Sequence, residues 1–267
     1  MEVFSGVMKM LTARQKERYA RQLMLPEVGE AGQQKLLTAR VLLVGAGGLG
    51  SPVALYLAAA GVGTIGIIDG DNVSLSNLQR QILHTTADLG SLKVESARNT
   101  LLQINPEIKV ITYPYYATAD NIQQILADYD FVIDCCDNLA TRYLVNDAAV
   151  LYGKSFVHGS IMGFQGQAAV FSAPAGPCYR CVFPQPTDVS VKRPFGVMGI
   201  TPGLIGTIQA TEVLKIILGS GSTLLGQLLI IDALELDFIK VKIKRDPQCA
   251  VCGDHPSITE LRAENYQ

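Results

Sequence analysis

The sequence predicts an α/β fold of Rossmann type: a mostly parallel sheet with helices on both faces, followed by an antiparallel C-terminal extension. Two observations support this prediction. Apolar runs of four to six residues alternate with longer helical patterns through the first 160 residues, as in doubly wound parallel sheets. A glycine-rich turn at Gly45–Gly50 follows the first of these runs, which is where such folds bind nucleotides.

The composition is that of a large globular protein. The 267 residues are 48% hydrophobic and 17% charged, which excludes disorder, and a net charge of −2 offers no basic field for nucleic acid. Glycines or charges interrupt the two most apolar stretches, Val53–Ile68 and Leu204–Leu218, so neither predicts a membrane span. Residues 1–11 lack the apolar core of a secretory signal. We therefore expect a cytoplasmic protein with neither nucleic acid nor membrane as a partner.

The elements before the glycine-rich turn are two helices and a strand. Thr12 is a suitable N-cap for a helix that runs to about Met24 and is stopped by Pro26. A second, short helix is predicted at Gly32–Leu37. The R-V-L-L-V run at Arg40–Val44 is short and apolar, which predicts a strand buried on both faces.

The alternation of helices and strands continues after the turn. The Ala/Leu-rich segment Leu49–Ala60 predicts a helix, and the T-I-G-I-I-D run at Thr64–Asp69 predicts a second buried strand. In all, six or so strands are expected in this pattern. The remaining predicted elements are helices at Ser91–Ile104, Asp120–Ala127 and Leu139–Leu151, with strands at Ile108–Tyr113, Phe131–Asp134 and Ser155–Gly159.

The pattern changes near residue 165 to strands that look antiparallel, at Gln165–Ser172, Leu228–Ala233 and Phe238–Lys244. Lysines alternate with apolar residues in the last of them, so one of its faces is expected to be in water. We interpret residues 1–267 as a single domain in three segments. These are an N-terminal helical arm (1–38), a nucleotide-binding core (39–160) and an antiparallel extension (161–267).

The glycine-rich turn has the G-x-G-x-x-G spacing of a nucleotide-binding loop. Gly45, Gly47, Gly48 and Gly50 follow a predicted strand and precede a predicted helix. Glycine permits the tight turn and a close phosphate approach, and the helix N-terminus supplies free N–H groups. Asp69 ends the next strand, where a carboxylate accepts the ribose hydroxyls.

These features alone do not distinguish ATP from NAD, and three further residues favour ATP. Arg80 and Lys93 add two cations beyond the glycine-rich turn, and Asp137 follows the strand at Phe131–Asp134. Two cations and a carboxylate suited to Mg²⁺ match a triphosphate, whose transfer depends on positioning and charge neutralisation. Each residue alone also has a simpler interpretation, as a surface charge or, for Asp137, as a helix cap. An NAD(P)-dependent oxidoreductase therefore remains the alternative.

Four of the six cysteines form two C-x-x-C pairs, Cys178/Cys181 and Cys249/Cys252. Each pair suits two thiolates of a tetrahedral Zn²⁺ site, and the presence of two pairs favours structural zinc over thioredoxin-like redox chemistry. Cys135 and Cys136 follow a buried strand and are expected to pack as small apolar residues. His84 and His158 lie in no recognisable catalytic arrangement and are expected to be structural.

Seven features of the sequence combine into one larger pattern. They are Arg18–Gln22, Gly45–Gly50, Asp69–Asp71, Ser76–Gln81, Lys93, Asp134–Asn138 and both cysteine pairs. Together they resemble the MoeB/ThiF/HesA family, bacterial relatives of the ubiquitin-activating enzymes, from about Leu11 to Cys252. This resemblance implies an adenylyltransferase that uses ATP to activate the C-terminal Gly-Gly carboxylate of a ubiquitin-like sulfur-carrier protein. The products would be an acyl-adenylate and pyrophosphate, for molybdopterin- or thiamine-type biosynthesis.

The resemblance also implies roles for single residues. Gly48 would contact the phosphates through its backbone, Asp69 the ribose and Asp137 the Mg²⁺. Arg21 matches an arginine that family members insert across a homodimer interface into the partner's ATP site, although by itself it suggests only an exposed helix residue. The expected catalytic residues are Arg21, Arg80, Lys93 and Asp137. The expected nucleotide-binding residues are Gly45, Gly47, Gly48, Gly50, Asp69, Asp71, Asn77, Arg80, Gln81, Lys93, Asp137 and Asn138.

One segment departs from the family pattern. Relatives that form a thioester or persulfide carry a cysteine on the loop that corresponds to Ser190–Gly199, and this loop has none. We therefore expect the reaction to stop at the adenylate, with a separate protein as sulfur donor. Lys192 and Arg193 are available to meet an acidic carrier. Adenylation of a peptide in specialised metabolism and a non-catalytic partner subunit are further alternatives.

Overall fold

A single mixed sheet of eight strands organises the chain. The computed structural model describes residues 10–172, 176–184 and 196–266. The strand order is β3-β2-β1-β4-β5-β6-β7-β8. The first five strands in the chain pair in parallel, and β6, β7 and β8 extend the sheet in antiparallel fashion. This confirms the predicted fold class, with five parallel strands in place of the six or so expected.

The elements follow the predicted order, and most bounds shift by one to three residues. The strands are β1 (Arg40–Val44), β2 (Thr64–Ile68), β3 (Lys109–Tyr113), β4 (Phe131–Asp134), β5 (Ser155–Met162), β6 (Gln165–Ser172), β7 (Gln227–Asp232) and β8 (Asp237–Lys242). The helices are α1 (Ala13–Arg18), α2 (Ala20–Leu23), α3 (Gly29–Thr38), α4 (Gly50–Ala60), α5 (Lys93–Ile104), α6 (Ile122–Ala127), α7 (Leu139–Leu151), α8 (Tyr179–Val182) and α9 (Ile200–Leu218). The division into segments 1–38, 39–160 and 161–267 stays a prediction.

Two apolar cores lie on opposite faces of the sheet because strand side chains alternate between them. In β1, Val41 and Leu43 belong to one core, and Leu42 and Val44 belong to the other. The first core is covered by α3, α4, α5 and α9, and the second by α6 and α7. The central strands are thus buried on both faces, as their apolar runs predict.

The N-terminal helix is interrupted, which corrects the single helix predicted up to Met24. Thr12 and Gln15 form the expected capping box, but α1 ends at Arg18. Tyr19 leaves the helical conformation and is almost wholly buried, and its hydroxyl accepts a hydrogen bond from Asn105 Nδ2 at 2.9 Å. Burial of this ring fixes the break, and α2 restarts at Ala20.

The apolar stretch around residues 204–218 is part of α9, a long helix packed against α4 and the sheet. The packing is close: a Cβ on Gly206 would lie 2.5 Å from the carbonyl oxygen of Leu49. No helix in the described part of the chain is long and apolar enough to cross a membrane. Strand β8 differs from its prediction, since all six of its residues are exposed rather than those of one face.

The order of the strands places a crevice at one end of the sheet. The chain runs from β1 outward to β2 and β3 on one side, and then returns to β4 on the other side of β1. Ligands of open α/β sheets bind beyond the carboxyl ends of the strands at this switch point. Residues after β1, β2 and β4 meet there.

Candidate nucleotide-binding site

A cleft of about 450 Å³ opens at the carboxyl ends of β1, β2 and β4. Most of the residues expected to bind a nucleotide lie along it. The members of that set that line the cleft are Gly45, Gly47, Gly48, Asp69, Asp71, Arg80, Gln81, Lys93, Asp137 and Asn138. Gly50, Asn77 and Arg21 are not among its lining residues.

The glycine-rich turn connects β1 tightly to α4. Gly45 has a φ of +107°, and a Cβ on it would lie 2.5 Å from the carbonyl oxygen of Cys135. A Cβ on Gly50 would lie 2.2 Å from the carbonyl oxygen of Gly45. These two glycines are therefore required by the turn itself. Helix α4 begins at Gly50 and presents its N-terminus to the cleft, which favours an anion there.

The backbone holds the Asp69 carboxylate at the end of β2. Its Oδ2 accepts a hydrogen bond from the Ala46 N–H at 2.8 Å, and its Oδ1 accepts one from the Asp71 N–H at 2.8 Å. Each carboxylate oxygen retains further acceptor capacity. Asp69 thus joins the glycine-rich turn to the turn after β2 and remains able to accept ribose hydroxyls.

Both of the cations expected from the sequence, Arg80 and Lys93, line the cleft. Lys93, the first residue of α5, has a side chain only 6% exposed, and its Nζ lies 2.7 Å from Asp71 Oδ2. Arg80 is partly exposed and donates to the Ser76 carbonyl at 3.0 Å. No carboxylate in the described residues forms an ion pair with Arg80. Its charge is therefore uncompensated and available for a phosphate.

Asp71 contacts both Lys93 and Tyr116, and its position in the sequence does not predict these contacts. Partial burial opposes ionisation of its carboxyl group, but hydrogen bonds from Lys93 and Tyr116 hold the pKa below its usual value. The carboxylate is therefore ionised and partly neutralises Lys93 in the free protein. Sequence reasoning missed Tyr116, because it lies on the loop after β3 and outside every motif.

Asp137 and Asn138 have different roles after β4. Asn138 is the N-cap of α7, since its Oδ1 accepts from the Thr141 N–H at 2.8 Å. Asp137 is exposed, and its one described side-chain contact is a 3.5 Å approach of Asn138 Nδ2. The helix-cap interpretation of Asp137 is therefore wrong. Its carboxylate is free to serve as an oxygen ligand for Mg²⁺.

A buried ionic network holds the loop that carries Asp137, and sequence reasoning missed it too. Asp134 is fully buried, and its Oδ2 lies 2.7 Å from both Arg142 Nε and His158 Nδ1. Arg142 also donates to the Cys136 carbonyl at 2.8 Å, and Gln209 Nε2 donates to the Asp134 carbonyl at 2.7 Å. These contacts fix both ends of the Asp134–Cys136 segment that leads to Asp137.

His84 connects the glycine-rich turn to α5. Its Nε2 lies 2.9 Å from the Ala46 carbonyl and its Nδ1 lies 2.8 Å from Ser96 Oγ. Because a carbonyl only accepts, Nε2 must carry the proton, and Nδ1 of the neutral ring then accepts from Ser96. Burial lowers the pKa of this histidine, which agrees with a neutral structural role.

Gln81 is a buried polar residue whose side-chain oxygen accepts no hydrogen bond from the described residues. It is 4% exposed and lines the cleft next to Gly47. Its Oε1 has no hydrogen-bond partner among the described residues. Buried polar atoms are almost always paired, so this oxygen indicates a donor supplied by a ligand or by water.

The two cysteines after β4 are packed thiols, as expected. Cys135 and Cys136 are 5% and 6% exposed and belong to the two different apolar cores. Burial raises the pKa of both thiols well above its usual value. They line the cleft but are protonated and poorly nucleophilic.

The four remaining cysteines converge at one point. The Sγ atoms of Cys178, Cys181, Cys249 and Cys252 all lie within 4.8 Å of one another, and three of the separations are 3.3, 3.5 and 3.9 Å. Tetrahedral zinc with Zn–S bonds of about 2.3 Å requires sulfurs about 3.8 Å apart. The donor set and its spacing therefore fit zinc. The Asp246 N–H also donates to Cys181 Sγ at 3.3 Å, as expected for a ligating thiolate.

The thiolate cluster is anchored to α7. Arg180, between the first two cysteines, pairs with the fully buried Asp147 through Nε and a second guanidinium nitrogen, each at 2.8 Å. Tyr266 donates to the same carboxylate at 3.1 Å. The cluster thus holds the C-terminal segment against the helix whose N-cap is at the cleft. Lys192 and Arg193 lie outside the described residues, as does most of the 190–199 loop.

Comparison with known proteins identifies close sequence relatives. A family model described as "ThiF family" matches residues 19–251. A sulfur carrier protein adenylyltransferase of Thermus thermophilus is 49% identical over 258 residues, which cover 94% of this chain and 95% of that protein. The adenylyltransferase and sulfurtransferase MOCS3 of Aedes aegypti is 49% identical over 248 residues, or 91% of this chain. The chain spans 57% of that longer protein.

Solved structures agree on the fold. A crystal structure of Escherichia coli MccB with ATP superposes with a TM-score of 0.78 at 24% identity, covering 91% of this chain and 75% of that chain. PaaA gives a TM-score of 0.77 at 23% identity, covering 92% of this chain and 79% of that chain. At such identities the similarity concerns the fold alone.

Proposed function

The chain belongs to the ThiF family, and from this premise we propose that it is an ATP-dependent adenylyltransferase acting on a ubiquitin-like sulfur-carrier protein. The C-terminal Gly-Gly carboxylate of the carrier would be converted to an acyl-adenylate, with release of pyrophosphate. The activated carboxylate would then accept sulfur in cofactor biosynthesis of the molybdopterin or thiamine type. A cytoplasmic location is part of the same proposal.

The observation that carries this proposal is the charge arrangement of the cleft. Arg80 and Lys93, the N-terminus of α4 and the Asp137 carboxylate all meet at the end of the sheet that also holds Asp69. A triphosphate needs cations along its length, a metal carboxylate and a ribose acceptor. The nicotinamide end of NAD needs none of the cations, and no oxidoreductase is among the relatives described above.

The chemistry follows from these charges. An oxygen of the carrier's carboxylate would attack the α-phosphorus of ATP, and the bond from that phosphorus to the bridging oxygen of pyrophosphate would break. The carboxylate is already ionised, so no general base is required. Catalysis would come from alignment of the two anions and from stabilisation of the leaving pyrophosphate by Arg80 and Lys93.

Two metals belong to the proposal. Asp137 would hold Mg²⁺, because its carboxylate is exposed at the cleft and free of strong protein contacts, and bound Mg²⁺ would neutralise phosphate charge. The four cysteine thiolates would hold one structural Zn²⁺. The zinc site contributes no group to the cleft.

The proposal includes a homodimer and a separate sulfur donor. Arg21 is exposed on α2 and is not among the lining residues of the cleft in its own chain. This position is compatible with a role in the partner's site. The packed thiols Cys135 and Cys136 are unsuited to an acyl-enzyme, and the 190–199 loop has no cysteine. Sulfur would therefore arrive from another protein.

The test is carrier-dependent ATP–pyrophosphate exchange with candidate proteins that end in Gly-Gly. Asp137→Ala and Arg80→Ala should each lower exchange by at least about a hundredfold, because each removes a charge that stabilises the transition state. Asp120→Ala and Arg98→Ala are matched controls, since both residues are exposed and outside the cleft.

Full exchange in both cleft variants would contradict the proposal. NAD(P) turnover without ATP–pyrophosphate exchange would favour the oxidoreductase alternative. Exchange with a short peptide in place of a folded carrier would favour peptide adenylation.

A further inference from the structure

Tyr116 is an exposed aromatic residue that is held unusually firmly. It lies on the loop after β3, lines the cleft and is 63% exposed. Its hydroxyl donates to Asp71 Oδ1, and its carbonyl accepts from Asn121 Nδ2 at 2.9 Å. Three of its ring atoms lie 3.0 Å from the place that a Cβ on Gly70 would occupy. The side chain is thus fixed at its tip, at its backbone and along one face.

The position of the ring distinguishes the two ends of a bound nucleotide. Gly70 separates Asp69, the expected ribose acceptor, from Asp71, so the ring packs directly on the ribose-binding turn. The phosphate-side groups, Arg80 and the glycine-rich turn, come from other elements. A free aromatic face beside the ribose carboxylate is suited to a nucleoside, since nucleobases and sugars pack on aromatic rings.

Asp71 connects this ring to the phosphate side. Its Oδ1 accepts from Tyr116, and its Oδ2 pairs with Lys93 Nζ at 2.7 Å. One carboxylate therefore positions both an aromatic ring and a cation, and the hydrogen bond to it raises the pKa of the Tyr116 hydroxyl. The hydroxyl remains a donor through the neutral pH range.

We propose that Tyr116 is a nucleoside-binding residue of the ATP site, with its ring held at the cleft by the hydrogen bond from its hydroxyl to Asp71. The ring forms the wall of the nucleoside end of the cleft. This inference rests on the proposed ATP site but not on the identity of the acceptor of the adenylyl group.

The test compares probes that contain or lack a nucleoside, by calorimetry on the full chain. Tyr116→Leu should weaken binding of ATP and AMP by about tenfold, since loss of aromatic stacking costs about 1–3 kcal/mol and 1.4 kcal/mol is tenfold. Binding of inorganic tripolyphosphate should stay within about twofold, because that probe has no nucleoside. Tyr116→Phe keeps the ring and should keep AMP affinity within about threefold.

Tyr115→Leu is the matched control. Tyr115 is the adjacent tyrosine, is 42% exposed, packs edge-on against Tyr113 and does not line the cleft. The proposal is overturned if Tyr116→Leu loses no more AMP affinity than this control, or if it loses tripolyphosphate affinity equally. Equal losses in Tyr116→Phe and Tyr116→Leu would also overturn it, since the hydroxyl alone would then matter.

The binding test of Tyr116 can succeed or fail independently of the exchange test of the proposed function. If the protein binds AMP with the expected pattern but exchanges pyrophosphate with no carrier or peptide, the adenylyltransferase proposal fails and Tyr116 keeps its role. If the unaltered protein binds neither ATP nor AMP, the role of Tyr116 is refuted together with the ATP site.

Discussion

Asp134 is ionised in the centre of the fold because contacts with its neighbours compensate for the hydration that its carboxylate loses on burial. Burial opposes ionisation, yet the Arg142 guanidinium and the hydrogen bond from His158 hold the pKa of this carboxyl below its usual value. An ion pair of this kind adds little net stability, but removal of one partner typically costs about 3–5 kcal/mol. We therefore infer that its main contribution is to fix the conformation of the loop before Asp137.

The histidines predict how stability depends on pH. Burial lowers the pKa of both His84 and His158 in the folded protein, whereas the pKa of a histidine in the unfolded chain is about 6.5. Below that pH the unfolded chain binds protons that the folded chain does not. The free energy of unfolding should therefore fall as pH is lowered from 7 towards 5, by up to about 1.4 kcal/mol per pH unit for each histidine.

Urea denaturation at several pH values measures this slope. His84→Gln should reduce it, because the substitution removes a buried titrating group. The Asp134 carboxyl adds no slope in this window. Its pKa is lowered in the folded state, so its contribution is present above about pH 3.9 and lost only below that value. A flat profile between pH 5 and 7 would contradict this account.

The sequence predicts some site residues and not others, and the difference lies in how each residue is brought to the site. Asp69 ends one predicted strand and Asp137 follows another, so the parallel sheet alone predicts that they meet. Arg142 and His158 contact Asp134 from a helix and another strand, and Tyr116 contacts Asp71 across 45 positions. Such pairings depend on side-chain directions and loop paths, and no motif spacing encodes them.

At the scale of elements, the glycine-rich turn yields a paired prediction. A Cβ on Gly50 would overlap the Gly45 carbonyl oxygen at 2.2 Å, whereas a Cβ on Gly47 would meet only Gln81 Nε2 at 3.5 Å, an ordinary contact. Gly50→Ala should therefore destabilise the protein by about 1–3 kcal/mol or more and abolish ATP binding. Gly47→Ala should keep the stability and lose affinity only through crowding of the phosphates.

Thermal unfolding and ATP titration of the two variants check this prediction. Equal stability of the two variants would mean that the turn adapts to Gly50→Ala, contrary to the geometry.

The order of the helices and strands could be predicted from the sequence because strand and helix periodicities differ. The break at Tyr19 was not accessible, since it depends on burial of one ring against Asn105. Helix α9 was seen only as an apolar stretch, because it is buried against α4 and β5.

At the scale of the whole molecule, the four-cysteine cluster joins distant parts of the chain. Cys178 and Cys249 are 71 positions apart and their Sγ atoms are 3.5 Å apart. Structural zinc typically contributes on the order of 10 kcal/mol of binding free energy, which becomes folding free energy. Through Arg180 and Asp147, the cluster also supports α7, so its loss should reach the cleft indirectly.

We expect one zinc per chain by mass-spectrometric metal analysis. Cys252→Ser should lose the metal and lower the melting temperature, because three thiolates bind zinc more weakly than four. Cys136→Ala is the matched control: it removes a buried cysteine outside the cluster and should retain full zinc content. Retention of zinc by Cys252→Ser would show that the cluster is not the metal site.

The last prediction concerns the homodimer, in which each ATP site would combine Asp137 of one subunit with Arg21 of the other. Arg21→Ala and Asp137→Ala should each be inactive alone. In a mixed dimer, however, one site pairs an intact Asp137 with an intact Arg21 and the other site lacks both. Equal mixing of exchangeable subunits makes half of the dimers mixed, so about a quarter of the unaltered exchange activity should return. A mixture of Arg80→Ala and Asp137→Ala is the control and should stay inactive, because both residues line the cleft of a single chain. Failure of the first mixture to recover activity, with subunit exchange verified by mass, would place Arg21 outside the partner's site.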